Sequence, residues 1–376
     1  MTPILIFIRK MRTNKKNPQN PVNPVCKELK LNPNQTILIT IDVEDWFQVE
    51  NFKPWIPFET WDQRELRVER NVHRLLDLFD SFEVSHRAGG KAHGAEGTAD
   101  KTEELENFRR RRIECSHFHP ENENEQKKYH QNPVNPVRQN KKKIQATFFI
   151  LAWIAERLPN LVREIHSRGH EVASHGYNHI LPNQQSSSEL KKDLTDSKKR
   201  LEDLTGAGIF GFRAPSFAVN NDILKMIEDC GYLYDSSYNS FEFHGRYGQL
   251  SLNGNGKKGI TYQISENLYE IPISNYRMRN HALPMGGGGY FRILPLPIFK
   301  MGIQSILNHE GAYIFYLHPW EIDSEQPRVY KATPVYKFRH YINLKTTYSK
   351  LTNLIMHFRD CRFISCIQYL KDRIES

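Results

Sequence analysis

A chain of 376 residues with 39% hydrophobic and 11% aromatic residues has enough apolar sequence for a substantial buried core. Its 25% charged residues and mean hydropathy of -0.64 are polar for a wholly packed chain, so part of the sequence is expected to lie outside that core. The net charge of +9 resides in residues 1–35, with seven Lys/Arg against one Glu, and in 83–143, with thirteen against ten; the rest is neutral in sum, which argues against a nucleic-acid partner.

Residues 1–35, rich in Asn, Pro and Lys, read as a disordered leader. The apolar run Ile4–Ile8 is followed, not preceded, by basic residues and is far short of the ~20 needed to span a bilayer. No stable membrane insertion is expected, and the chain reads as cytoplasmic. Five cysteines at no metal-like or disulfide-framework spacing suit a reducing compartment. No pattern in the sequence specifies an oligomeric state.

Beyond the leader, strand-like and helix-like patterns alternate. TILITID (36–42) is a continuous β-branched run, as expected of a strand buried on both faces. From Arg64 to Phe82, residues Val68, Val72, Leu75, Leu76 and Phe79 recur at helical spacing. Residues 83–143 carry mixed charges and no sustained apolar period, and the heptapeptide QNPVNPV at 131–137 repeats 19–25; this segment reads as a largely disordered insert. Strands are expected next at 145–151 and 171–174, with helices at 161–167 and 188–204. Further strands follow at 209–212, 268–273 and 312–317, with helices at 221–230 and 297–309. Such alternation implies an α/β fold with a mostly parallel sheet, open or closed.

Residues capable of chemistry fall just past the strand ends, where parallel α/β folds place their sites. DVEDW sets Asp42, Glu44 and Asp45 after the first strand, and closely spaced carboxylates repel unless a cation or proton is shared. SHGYNH places His175 and His179 four apart, a spacing that brings two imidazoles together. Two His and one carboxylate make a three-ligand site with room for water. Arg213 and Pro215 in GFRAPSF, and His318 in YIFYLHPWE, follow two further strands. Arg213 is expected to orient Asp42, and His318 to donate a proton.

In order along the chain, DVED, SHGYNH, FRAPSF and LHPWE resemble the motifs of the polysaccharide deacetylases, carbohydrate esterase family 4 or NodB-homology family. DVEDWF, LPMGGGGYFR at 283–292 and FRHYINLKTTYSKLTNL at 338–354 resemble the branch associated with exopolysaccharide and exosortase (PEP-CTERM) systems, itself similar to allantoinase-like and peptidoglycan deacetylase-like members. The resemblance implies a distorted (β/α) barrel over 36–327 interrupted by the insert, with 328–376 as a C-terminal extension. It implies a hydrolase that removes N-acetyl groups from amino sugars of a polysaccharide. Asp42 matches the base and His318 the acid, Arg213 the arginine that lines the groove, and Asp235 (in YDSS) the Asp that helps hold the catalytic His or Arg. A divalent ion, Zn²⁺ foremost, is held by His175, His179 and either Glu44 or Asp45. Pro215, Tyr290 and Trp320 line the substrate groove. Two rival readings stand beside this one: an allantoinase-like hydrolase of a small cyclic amide, which shares the scaffold, and a carbohydrate-binding homologue with a dead site, against which the intact set Asp42, His175, His179, Arg213 and His318 argues.

Overall fold

The computed structural model describes residues 34–85, 141–240, 256–278 and 281–375, with Asn32, Leu250 and Leu252. The body of the leader and residues 86–140 of the insert, which were expected to be disordered, lie outside the described residues. In chain order the elements of the first half are β1 (Thr36–Val43), α1 (Val68–Asp80), β2 (Glu83–Ser85), β3 (Lys141–Lys143), β4 (Thr147–Ile150), α2 (Ala152–Arg157), α3 (Pro159–Ser167), β5 (Glu171–Ser174), α4 (Ser187–Thr205), β6 (Gly211–Phe212), α5 (Asn221–Asp229) and β7 (Tyr234–Asp235). They continue with β8 (Lys257–Lys258), β9 (Thr261–Gln263), β10 (Tyr269–Glu270), β11 (Asn275–Met278), β12 (His281–Pro284), α6 (Gly288–Ile293), α7 (Leu296–Glu310) and β13 (Ala312–Leu317). The tail adds α8 (Pro334–Tyr341), α9 (Leu344–His357), β14 (Arg362–Phe363) and α10 (Cys366–Ile374).

One mixed sheet runs in the order β13-β1-β4-β5-β6-β7-β10-β9-β8, parallel from β13 to β10 and antiparallel thereafter. The sheet curls into an incomplete barrel. The main chain of Gly286 and Gly287 runs beside β13, where Tyr316 N–H donates to the Gly286 carbonyl at 2.7 Å. Strand β1 shows how the layers form. Its period of two sends Ile37, Ile39, Ile41 and Val43 outward against the helices, while Leu38 packs in a second, inner cluster with Phe149, Tyr234 and Ile314. Thr40 and Asp42 share the inward parity of Leu38, so the strand presents polar groups to the barrel interior near its carboxyl end.

The outer helices bury the stripes that their periodicity announced. Val72, Leu75, Leu76 and Phe79 of α1 are fully enclosed; truncating one such Leu to Ala costs about 2–5 kcal/mol. Helix α1 starts at Val68, later than expected from Arg64, because the Asp45 carboxylate reaches across to accept the Arg67 and Val68 N–H groups at 2.6 and 2.8 Å and fixes the start there. Helix α4 opens on a reciprocal capping box between Ser186 and Glu189 and ends at Gly206 in the left-handed region. Strand β6 is shorter than the expected 209–212. Ile209 instead receives side-chain bonds, its N–H donating to Glu202 and its carbonyl accepting from Lys198.

Strands β2 and β3 pair antiparallel, Glu83 opposite Lys143, so the chain leaves and re-enters the fold at adjacent points. The tail works at both ends of the barrel. At the amino end, β14 pairs with Thr36 and Ile37, and Glu171 accepts the Ile367 N–H at the start of α10. At the carboxyl end, α8 and α9 pack near the segment after β13. Among the described residues, no helix is long and apolar enough to cross a membrane.

Candidate metal and catalytic site

Parallel strands bring the ends of β1, β5, β6 and β13 to one rim, and a cleft of about 280 Å³ opens there. Asp42, Glu44, His175, His179, Tyr290, His318 and Trp320 all line it. Glu44 lies at its floor. Its Oε1 is 3.0 Å from His175 Nε2 and 2.9 Å from His179 Nε2. One ligand atom from each of the three residues falls within a 4.8 Å cluster.

The hydrogen bonds around His175 determine what this cluster requires. His175 Nδ1 lies 2.7 Å from the Arg213 carbonyl, which can only accept, so that nitrogen carries the proton and Nε2 faces Glu44. Nε2 and a carboxylate oxygen attract at this distance only with a further proton or a cation between them. A buried carboxylate with two imidazoles fits a divalent ion that accepts nitrogen and oxygen donors. Burial opposes ionisation of Glu44, yet His179, His318 and His175 hold its carboxyl well below the usual range. His179 reaches the cluster from a left-handed backbone (φ 54°), uncommon for a residue with a Cβ.

Asp42 sits beside the cluster. Its Oδ1 accepts from Arg213 Nη1 at 2.6 Å, leaving Oδ2 4.0 Å from His318 Nε2. Arg213 is wholly buried against the face of Phe149 and is latched by Thr40, the Ser236 carbonyl and the Ser236 hydroxyl. Burial pushes the His318 imidazole down, but Glu44, Glu321 and Asp42 outweigh it and carry it up to about 9.

Two expected residues sit elsewhere. Asp45 is not at the cluster: its carboxylate turns onto the amino end of α1 and also accepts the Trp46 N–H. Asp235 makes no hydrogen bond to His318; burial raises its carboxyl, and the charge of Arg213 is among the influences that oppose the rise. Asp235 itself accepts from the Ser237 N–H and hydroxyl and neighbours Glu270, whose carboxyl is driven well above its usual range by burial and then by Asp235. The partner of His318 is Glu321, three residues on, with Oε1 2.9 Å from Nδ1. Pro215 lies behind the wall, opening a short turn that places Ser216 and Phe217 in the cleft with left-handed backbones. Trp320 is a buried slab beneath His318, with ring centroids 5.2 Å apart.

Glu321, Arg292, Ser216 and the tail residues Arg339 and His340 also border the site and were not assigned from sequence. Only Glu321 carried a legible signal, an acid one turn after a strand-end His. A Cβ on Gly286, Gly287 or Gly288 would meet protein atoms within 2.6 Å, and of the four glycines at 286–289 only Gly289 faces open space.

Residues 139–234 match the family model for polysaccharide deacetylase, a span that includes His175, His179 and Arg213. This segment is thus similar to polysaccharide deacetylases. Residues 236–371, with His318 and the tail, match a model described as a domain of unknown function (DUF3473), and Asp42 and Glu44 precede both matches. The chain is 32% identical over 90 residues to a peptidoglycan-N-acetylglucosamine deacetylase of Bacillus cereus, covering 24% of this chain and 42% of that protein. It is 36% identical over 97 residues to the peptidoglycan deacetylase-like protein FGM2 of Gibberella zeae, covering 25% of this chain and 28% of that one. The matched segments thus span less than half of these relatives. A Mycobacterium smegmatis crystal structure, described as a polysaccharide deacetylase, superposes with TM-score 0.50 over 90% of each chain at 16% identity, and so shares the fold.

Proposed function

We propose that the chain is a metal-dependent hydrolase that removes N-acetyl groups from amino sugars of a polysaccharide and releases acetate. The observation that carries this reading is the buried Glu44–His175–His179 cluster with Asp42 and His318 beside it in one cleft. Glu44, His175 and His179 would hold the ion, and their N₂O donor set suits Zn²⁺. Such an ion supplies Lewis acidity to an amide carbonyl and to water.

The chain's own residues do the rest. Arg213 fixes one oxygen of Asp42, so the other is turned toward the cleft to take a proton from the attacking water. Water adds to the acetamide carbon, the C–N bond breaks, and the nitrogen leaves with a proton from His318 Nε2, giving acetate and a free amine. Tyr290, Ser216 and Phe217 form walls against which a sugar ring packs. We take the polymer to be an exopolysaccharide, on the resemblance of DVEDWF, 283–292 and 338–354 to that branch.

The test is acetate release from N-acetylglucosamine oligomers by the purified chain, beside His175→Ala, with and without a chelator. Acetate that disappears on both chelation and substitution supports the reading. A tightly held metal without acetate release points to a small-amide hydrolase, and a chain that binds oligomers but no metal to a binding protein.

A further inference from the structure

The Glu321 carboxylate has no freedom left. Oε1 accepts from the His318 N–H and pairs with His318 Nδ1, while Oε2 accepts from Arg292 Nε at 2.7 Å. Gly288 closes the remaining side, since a Cβ there would stand 2.2 Å from Oε1. Arg292 is itself buried, and its other nitrogens all point into the tail. Nη1 donates to the His340 and Ile342 carbonyls at 2.6 and 3.1 Å, and Nη2 to the Arg339 carbonyl at 3.0 Å. These are the last carbonyls of α8 and the turn after it, which a helix end leaves without intrahelical donors. The tail answers in kind: Asn343 Nδ2 donates to the Arg292 carbonyl at 2.8 Å. His340 stacks on Trp320 at 4.1 Å, on a ring that also stacks with His318.

From this chain of contacts we propose that Arg292 is a positioning residue for His318, acting through Glu321 and held by the tail segment 339–343, which makes the tail a working part of the site. The inference rests on the reading of His318 as the proton donor to a leaving nitrogen. A donor displaced by ~1 Å loses on the order of 100-fold. That loss falls on reactions whose leaving group must be protonated. An amine leaving group needs the proton; 4-nitrophenolate departs without it.

The experiment compares the full chain with Arg292→Met, Arg292→Lys and Glu321→Gln on N-acetylglucosamine oligomers and on 4-nitrophenyl acetate, with metal content and thermal midpoint followed alongside. Expected is a fall in kcat of about 10- to 100-fold on the oligomers with KM within about 2-fold, and a change under about 3-fold on the ester. Arg292→Lys, which keeps the charge but not the fork, should recover part of the loss. Should the Arg292 variants not fold, Asn343→Gly is read the same way, because it keeps the left-handed backbone and removes only the side-chain bond. Equal losses on both substrates, a rise in KM alone, or loss of the metal overturns the inference and assigns Arg292 to stability. A wild-type chain that releases no acetate overturns the underlying reading, and this inference with it.

Discussion

Arg213 and Asp42 lie 171 residues apart in sequence, yet Nη1 and Oδ1 are 2.6 Å apart in the barrel interior, both side chains almost fully shielded from water. Removing the guanidinium leaves a buried carboxylate without its partner. Arg213→Met is therefore expected to destabilise the fold by about 3–5 kcal/mol. Asp42→Asn, which keeps shape and volume, should cost less stability while lowering acetate release by roughly 10²–10⁴ if Asp42 is the base. Urea titrations beside activity assays check both, and a fully stable Arg213→Met would show that the pair is not what anchors β6 to β1.

Asp45 and Glu44 are neighbours with separate tasks. Asp45→Ala removes the acceptor of the Arg67 and Val68 N–H groups and should cost about 1–3 kcal/mol while leaving metal content unchanged. Glu44→Ala should retain most of the fold and lose the metal. Metal analysis after dialysis decides it: a folded Asp45→Ala protein without metal would return Asp45 to the ligand set.

His170 is enclosed between Phe79 and Phe148, and burial pushes its imidazole down from 6.5 to about 4. The unfolded chain takes up this proton near 6.5 and the folded chain only near 4. The stability held by the neutral ring is thus fully present above 6.5 and is lost as pH falls toward 4, by roughly 3 kcal/mol in all. His170→Phe keeps the aromatic packing and loses the acceptor for the Ala146 N–H. Its stability should depend less steeply on pH between 7 and 4 than that of the wild type, as read by denaturation at several pH values. Parallel slopes would assign the acid sensitivity to other groups.

The four consecutive glycines differ in tolerance. A Cβ on Gly286 would lie 2.6 Å from the Ser274 carbonyl oxygen, a main-chain atom, so Gly286→Ala should cost about 1–3 kcal/mol. Gly289→Ala meets nothing within 4 Å and stands in α6, so its thermal midpoint should be unchanged or slightly raised. Equal destabilisation in the two variants would count against the close approach of 286 to its neighbours.

Much of the fold was legible wherever a residue's role follows from its neighbours in sequence. The β-branched run of β1 and the apolar stripe of α1 carry their own periodicity, and both stand where that periodicity put them. His175 and His179 were legible as a pair because four residues suffice to bring them together. Strand β7, only two residues long, left no pattern to read. Strand β14 gains its meaning from β1, more than 300 residues earlier, and no local periodicity encodes that pairing.

The sequence by itself determined which chemistry was available: carboxylates, imidazoles and one arginine spaced after strand-like runs. The tertiary structure decided which atoms meet. Three acids within four positions look alike in sequence, but a strand end sends successive side chains in different directions. Asp42 accordingly turns to Arg213, Glu44 to the imidazoles and Asp45 to the start of α1. Only the folded tail could likewise reveal that Arg292 joins Glu321 to the carbonyls of α8, because that contact is made between segments with no periodic relation to one another.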